Sequence, residues 1–289
     1  MTRNGRGASL TRWLAPGGVV EIGIRLAAID VDLTLVGSDL RISDRTRAAV
    51  QAATEAGCVV TLTSGRMFRA TAPFAVELGI DAPLITYDGA LIKSTKTREI
   101  ISHRPVPLEQ AREVAAYAQR EGLHLNVYVD DTLYVERYDE ETSSYTSHTK
   151  VEAVAVGDLA AFVNRPPTKL LIVASKEDVD RRLPEFKKRF GDRLHVVRSM
   201  PRYVEFTAEG VSKGSGLAIL ARHLGVRHDE VLAIGDSEND ISMLEFAGIG
   251  VAVRNAAEEV KKAADYVADG ESGDGVAEAL SRFVLGRGA

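Results

Sequence analysis

Ala27-Ala28-Ile29-Asp30-Val31-Asp32-Leu33-Thr34-Leu35 decides how the rest of this chain is read. Its first half, led in by Ile24 and Leu26, is a continuous apolar run, as expected for a strand buried on both faces of a parallel sheet. The run stops at two aspartates one residue apart. A carboxylate at the end of a buried strand is unfavourable unless a cation or strong hydrogen bonds hold it. In open α/β sheets, ligands bind in the crevice beyond the carboxyl ends of the strands. In an extended strand the two-residue spacing points both side chains to one side. A solvated strand end with two surface aspartates explains these residues equally well, so the rest of the chain must choose.

Downstream the pattern recurs. Ser43 reads as the N-cap of a helix with Val50 and Ala53 on one face, and Gly57 ends it. Cys58-Val59-Val60-Thr61-Leu62-Thr63 is a second buried strand, stopping at Ser64-Gly65-Arg66. A helix from Met67 to Leu78 follows, with Pro73 expected to kink or shorten it. Leu84-Ile85-Thr86 then leads into the turn signal Asp88-Gly89. This β-α-β-α-β order predicts an α/β fold built on a doubly wound parallel sheet.

The pattern changes after that turn. A helix from Leu108 to Glu121 precedes two strand-like runs, 123–129 and 132–136, joined by a hairpin turn at Asp130-Asp131. A strand at 169–174 follows, then a helical face of Val179, Leu183, Phe186 and Phe190, which Pro184 is expected to kink or open. Runs at 194–197 and 203–206 complete the set. Such a mixture predicts an inserted α+β domain over 89–204, with the core divided into 25–88 and 205–289. From Ser212 the βα order returns, with a helix to Leu224, the strand Val231-Leu232-Ala233-Ile234, a helix over 241–246 and short strands near 249–251 and 266–267.

A chain of 289 residues with 45% hydrophobic and 27% charged content is long and apolar enough for one large or two ordinary globular domains with a full core. A net charge of −5 gives no reason to expect nucleic acid or an anionic membrane surface as partner. No apolar run approaches the roughly 18–20 residues of a membrane-spanning helix. The single cysteine, Cys58, sits in an apolar run, predicting a buried, inert thiol and a reducing, cytoplasmic setting. The histidines lack ligand spacing, and neither a dinucleotide fingerprint nor a phosphate-binding P-loop occurs, so no nucleotide cofactor is expected. Residues 1–24 differ. Met1 to Gly18 carries three arginines, four glycines and no acidic residue, and reads as a disordered extension outside the fold. A transit peptide and an over-extended gene start are the other readings.

Three strand ends carry polar residues of particular types: Asp30-Val31-Asp32, Ser64-Gly65-Arg66 and Gly235-Asp236-Ser237-Glu238-Asn239-Asp240. In a parallel sheet all three face one crevice. Asp30, Asp32, Asp236 and Asp240 would then crowd together, and like charges about 4 Å apart repel by several kcal/mol at protein-like dielectric. A cation is expected among them, and an all-oxygen site suits Mg²⁺. Lys213 opens a helix after Ser212, and the small Gly214 and Gly216 there would allow an anionic ligand to approach closely. Ser64 and Gly65 can offer a hydroxyl and a backbone N–H to a phosphate oxygen. With metal and phosphate in place, one aspartate of the opening pair can attack phosphorus while the other moves the proton. Blander roles compete at the edges of this site. Ser64, Asn239 and Asp240 can each cap a helix, Arg66 can serve a salt bridge as readily as a substrate, and Tyr128, Asp130, Asp131 and Tyr134 read better as an ordinary exposed turn.

Asp30-Val31-Asp32-Leu33-Thr34, Ser64-Gly65-Arg66, Lys213-Gly214 within 210–214, and Gly235-Asp236-Ser237-Glu238-Asn239-Asp240-Ile241-Ser242-Met243 stand in the order of four known motifs. On them, the chain from Arg25 onward resembles the haloacid dehalogenase-like (HAD) phosphohydrolases, specifically the Cof-type group with a C2-type cap inserted between the second and third motifs. The resemblance implies Asp30 as the nucleophile that forms an aspartyl-phosphate and Asp32 as general acid and base. It implies phosphate or substrate binding by Ser64, Gly65, Arg66 and Lys213. Mg²⁺ would be held by Asp30, the Asp32 carbonyl and Asp236, with Asn239 and Asp240 supporting that shell, and the cap would close over the crevice. Two residues depart from the family pattern, Leu33 replacing a glycine and Asp88 replacing an asparagine. The expected function is Mg²⁺-dependent hydrolysis of a small phosphorylated metabolite, with sugar phosphates among the candidates. A phosphosugar mutase using the same intermediate and a non-catalytic phosphate-ligand sensor are its rivals.

Overall fold

Leu26, Ala27, Ala28 and Ile29 have no solvent exposure, and the strand Leu26–Asp30 they form lies inside an eight-stranded sheet. The computed structural model describes residues 23–286, the His148 side chain excepted, together with the backbone of residues 12–15 and 18–21. Across the sheet the strands run Tyr266–Val267, Ile249–Ala252, Val231–Gly235, Leu26–Asp30, Val59–Thr63, Leu84–Thr86, Leu91–Lys93 and Ile100–His103. The first six are parallel. The order reverses direction on either side of Leu26–Asp30, as in a doubly wound α/β fold. Helices Asp44–Glu55 and Ser272–Phe283 pack together, as do Lys213–His223 and Ile241–Phe246. Ser43 caps the first of these by accepting the Thr46 N–H.

Two compact units divide the chain. One closes at Gly65, takes up Thr71–Ile101 and resumes at Ser212; the other is Ser102–Val211 with Arg66–Ala70. Both expected boundaries of the insertion move. Leu91–Lys93 turns back antiparallel on Leu84–Thr86, so the first sheet keeps the chain beyond residue 89. Tyr203–Ala208 is one continuous strand of the second sheet, so a boundary at 205 would cut through a hydrogen-bonded ladder.

The second unit has a six-stranded sheet in the order Ala153–Ala155, Thr132–Val135, His124–Val129, Lys169–Val173, Tyr203–Ala208, Leu194–Met200. On one face Leu125, Val127, Leu170, Ile172, Val204 and Phe206 join a core with Val114 and Tyr117 of Leu108–Arg120 and Phe186 and Phe190 of Lys176–Phe190. The second helix stays continuous through Pro184. The alternate residues, among them Asn126, Tyr128, Lys169 and Glu205, point to the other face and are buried too. Asp130 and Asp131 both take left-handed backbone at the hairpin, as its two-residue turn requires. Within the stretch expected to be a disordered extension, Arg12–Ala15 and Gly18–Glu21 pair as an antiparallel ribbon, in keeping with the strand preference of Val19 and Val20. Residues 1–11, 16, 17 and 22 lie outside the described residues.

Candidate active site

Two strand ends of the first unit meet at one group of side chains. Asp30 ends its strand, Asp236 follows Val231–Gly235, and Asp240 closes the short turn of 3₁₀ helix after it. Carboxylate oxygens of these three residues lie within 4.8 Å of one another, and all three residues are buried. Lys213 enters from the first turn of its helix, where Ser212 accepts the Ser215 N–H and the Ser215 hydroxyl accepts the Ser212 N–H. Its Nζ donates to Asp30 Oδ1 and to Asp240 Oδ1, each at 2.6 Å. A positive charge is thus present in the cluster from the protein itself, where the sequence pattern called for a bound cation alone. Gly214 serves a different end from the ligand approach expected of it: a Cβ there would stand 2.2 Å from the Ser242 carbonyl oxygen, so its absence seats the helix, and with it Lys213, against the neighbouring helix.

Asp240 has both oxygens engaged. Oδ1 takes Lys213, and Oδ2 accepts the N–H groups of Asp236 and Ser237 at 3.0 Å each. It therefore acts as a turn cap and lysine anchor. Asn239 donates through Nδ2 to Asp88 Oδ1 at 2.9 Å. Asp236 is held by two hydroxyls, Thr34 on Oδ1 at 2.8 Å and Ser237 on Oδ2 at 3.0 Å. Thr34 was missed as a site residue, because a threonine shortly after the aspartate pair carries no signal of a partner at position 236.

The aspartate pair also departs from the expected geometry. The strand ends at Asp30, and the backbone turns at once, with the Leu35 and Val36 N–H groups bonding back to the carbonyls of Asp30 and Val31. Asp32 therefore sits in a tight loop rather than two places along an extended strand, and it is partly exposed where Asp30 is buried. Ser64 is buried, and its backbone binds Ile85 and Asp88; the helix expected from Met67 begins at Phe68. Gly65 lies against Asp88, since a Cβ on it would stand 3.0 Å from Asp88 Oδ2. Arg66 falls in the other compact unit.

Burial and the neighbouring Asp240 raise the Asp30 pKa well above the usual carboxylate range, against the opposing pull of Lys213. Burial and Asp240 raise Asp236 as well, partly offset by its two hydroxyl donors. For Lys213, burial works to lower the pKa, but Asp240 and Asp30 outweigh it and hold the ammonium above its ordinary value. Three buried carboxylates against one ammonium leave the cluster short of positive charge, and its all-oxygen donor set fits a divalent cation. Cys58 lies apart from this chemistry. Burial pushes its thiol up to about 12, so it is inert at neutral pH.

The family model of the haloacid dehalogenase-like hydrolases matches residues 27–280. A Bacillus subtilis relative, the 5-amino-6-(5-phospho-D-ribitylamino)uracil phosphatase YcsE, is 31% identical over 268 residues, covering 92% of this chain and 98% of its own. The crystal structure of TM0651 from Thermotoga maritima superposes with a TM-score of 0.81 at 32% identity, over 90% of this chain and 97% of that one. The HAD subclass IIB sugar phosphatase BT4131 gives a TM-score of 0.75 at 27% identity, over 90% and 98%. Fold, motif order and buried carboxylate cluster agree with one another, and the chain belongs to the haloacid dehalogenase-like hydrolases, in which it is a phosphatase.

Proposed function

We propose that the protein hydrolyses a small phosphorylated metabolite, a sugar phosphate or similar polyol phosphate, with Mg²⁺ bound and through a phospho-enzyme formed on Asp30. The observation that carries this reading is the Lys213 bridge. Nζ holds Asp30 Oδ1 at 2.6 Å, which fixes the carboxylate and leaves Oδ2 as the attacking atom. Oδ2 attacks phosphorus in line, the Asp30–phosphorus bond forming as the bond to the ester oxygen breaks, and Asp32 gives its proton to the departing oxygen. Asp32, now a carboxylate, takes a proton from water; that water attacks phosphorus, releases phosphate and restores Asp30. Asp32 suits both transfers because it is the more exposed of the pair.

Asp30, Asp236 and the Asp32 carbonyl would hold Mg²⁺, which when bound supplies neutralisation of charge on the transferring oxygens. Asp240 would keep Lys213 and Asp236 in place, while Ser64, Gly65 and Lys213 receive the phosphate. The substrate class draws on the ribityl phosphate and sugar phosphate activities named for the relatives. A cytoplasmic setting goes with this reading, supported by the buried free thiol. Among the described residues no helix is long and apolar enough to cross a membrane.

A phosphate-release screen over metabolite phosphates with Mg²⁺ tests the reading, with Asp30→Asn alongside. Wild type should release phosphate from a subset, and the variant should release none while keeping its circular dichroism spectrum. Turnover in Asp30→Asn removes Asp30 as nucleophile. An isomeric sugar phosphate without free phosphate points to the mutase, and tight binding without turnover to the sensor.

A further inference from the structure

Leu33 stands in the aspartate loop with φ +58°, in the left-handed region, and the residue is 48% exposed. For a residue with a Cβ that conformation costs roughly 1–2 kcal/mol relative to the right-handed region, and an exposed side chain gains little packing in return. Two side chains from distant parts of the same unit hold it there. Asn255 Nδ2 donates to the Leu33 carbonyl at 2.8 Å, and the Ser272 hydroxyl donates to the same oxygen at 2.9 Å. These two are tied to each other, because Asn255 Oδ1 accepts the Ser272 N–H at 2.8 Å. The next residue, Gly273, brings its helix hard against the loop: a Cβ there would stand 3.0 Å from the Leu35 carbonyl oxygen and 2.4 Å from Thr46 Oγ1. On either side of Leu33 lie Asp32 and Thr34, the second bonded to Asp236.

We propose that Asn255 and Ser272 form a latch on the Leu33 carbonyl that keeps Asp32 and Thr34 in working position, as positioning residues for the phosphatase reaction. The proposal rests on the reading of this loop as catalytic. Released from the latch, Leu33 relaxes to negative φ, which rotates the peptide units on both sides of it. Asp32 then loses its aim at the ester oxygen, and Thr34 its grip on Asp236. Neither latch residue touches substrate in this scheme, so the loss falls on turnover rather than on binding.

The test is a cycle of Asn255→Ala and Leu33→Gly, singly and together. Glycine takes the left-handed conformation without penalty, so a loop carrying Leu33→Gly depends less on the latch. Asn255→Ala alone should lower kcat about 10- to 100-fold, the scale of a small misplacement of a reacting group. KM should stay within about threefold, the mark of an interaction that matters chiefly in the transition state. In the Leu33→Gly background the same substitution should cost less than about threefold in kcat, because the strained conformation no longer needs holding. Ser272→Ala should repeat the pattern more weakly, and takes the place of Asn255→Ala should that variant fail to fold. Equal losses in both backgrounds, or a loss confined to KM, would overturn the latch. A crystal structure of the Asn255→Ala protein reads it without any substrate: Leu33 leaving positive φ supports the latch, and Leu33 staying there refutes it. Absence of phosphate release by the wild type would instead remove the functional reading, while the conformation of Leu33 in that crystal would still decide whether the latch exists.

Discussion

Asp88 differs by one atom from the asparagine that the HAD motif pattern leads one to expect, and the surroundings make that atom matter. Tyr87, Asp88 and Gly89 have φ of +52°, +55° and +101°, three left-handed residues in succession, so the turn presents the Asp88 carboxyl in a fixed direction. Its Oδ1 accepts Asn239 Nδ2, Oδ2 lies against Gly65, and its charge is among those that hold the Lys213 ammonium above its ordinary pKa. On the proposed reading, a phosphate bound by Ser64, Gly65 and Lys213 would meet this added negative charge. Asp88→Asn can keep the bond from Asn239 through its own amide oxygen while removing the charge. We expect KM for a phosphate ester, and the inhibition constant for inorganic phosphate, to fall about three- to tenfold, as one unit charge several ångströms away in a partly screened site implies. The change in kcat should be smaller; unchanged inhibition by phosphate would show that Asp88 does not sense the anion. Such positions are legible in sequence only as departures from a pattern. Asp30 and Asp236 stood out because charge is costly at the end of an apolar strand, and Lys213 because it opens a helix beside small glycines. Thr34 did not, since a hydroxyl suits any environment and its partner is 202 positions away.

Elements were legible in proportion to how strongly their apolar residues were spaced. Leu108–Arg120 was evident from its buried stripe of Ala111, Val114, Ala115 and Ala118. Glu140–Thr149 was invisible, because only Thr142 and Tyr145 of its described side chains are buried and the rest is polar. Pro184 misled in the other direction: the helix around it carries buried Val179, Phe186 and Phe190, whose packing outweighs one missing N–H. Lys169 is a third kind of case, a charge at the start of the buried strand Lys169–Val173. Its Nζ meets Glu205 Oε2 at 2.9 Å on the adjacent strand and lies 5.3 Å from the centre of the Tyr128 ring. Both partners are almost fully buried, 4% and 7% exposed in their side chains. Removing the lysine takes a close counter-charge from the buried Glu205 carboxylate. Lys169→Met should destabilise the protein by about 3–5 kcal/mol in urea unfolding, and Lys169→Met with Glu205→Leu should regain most of it. A single variant of wild-type stability would mean that solvent reaches the pair.

For the molecule as a whole, the parallel order of strands fixed in advance that distant polar residues would share one edge, and electrostatics governs what that edge does to stability. Asp30 and Asp236 have pKa values raised above the ordinary 3.8, chiefly by burial and by Asp240. In the unfolded chain they lose their protons near that ordinary value, while in the folded protein they keep them to higher pH. Within that window the folded state binds more protons than the unfolded one, so stability falls as pH rises through it. Lys213 has the opposite charge and also a raised pKa, so its contribution is fully present below the ordinary 10.5 and is constant across the acid and neutral range. The metal-free protein should therefore melt at a lower temperature at about pH 8 than at about pH 5. On the proposed reading, Mg²⁺ bound by the ionised cluster would stabilise the folded state by mass action. Its addition after chelation should raise the melting temperature more at the higher pH. Asp30→Asn and Asp236→Asn should each shrink both the pH dependence and the Mg²⁺ response. A response of equal size at the two pH values, or one that survives in both variants, would place the cation elsewhere than among these strand ends.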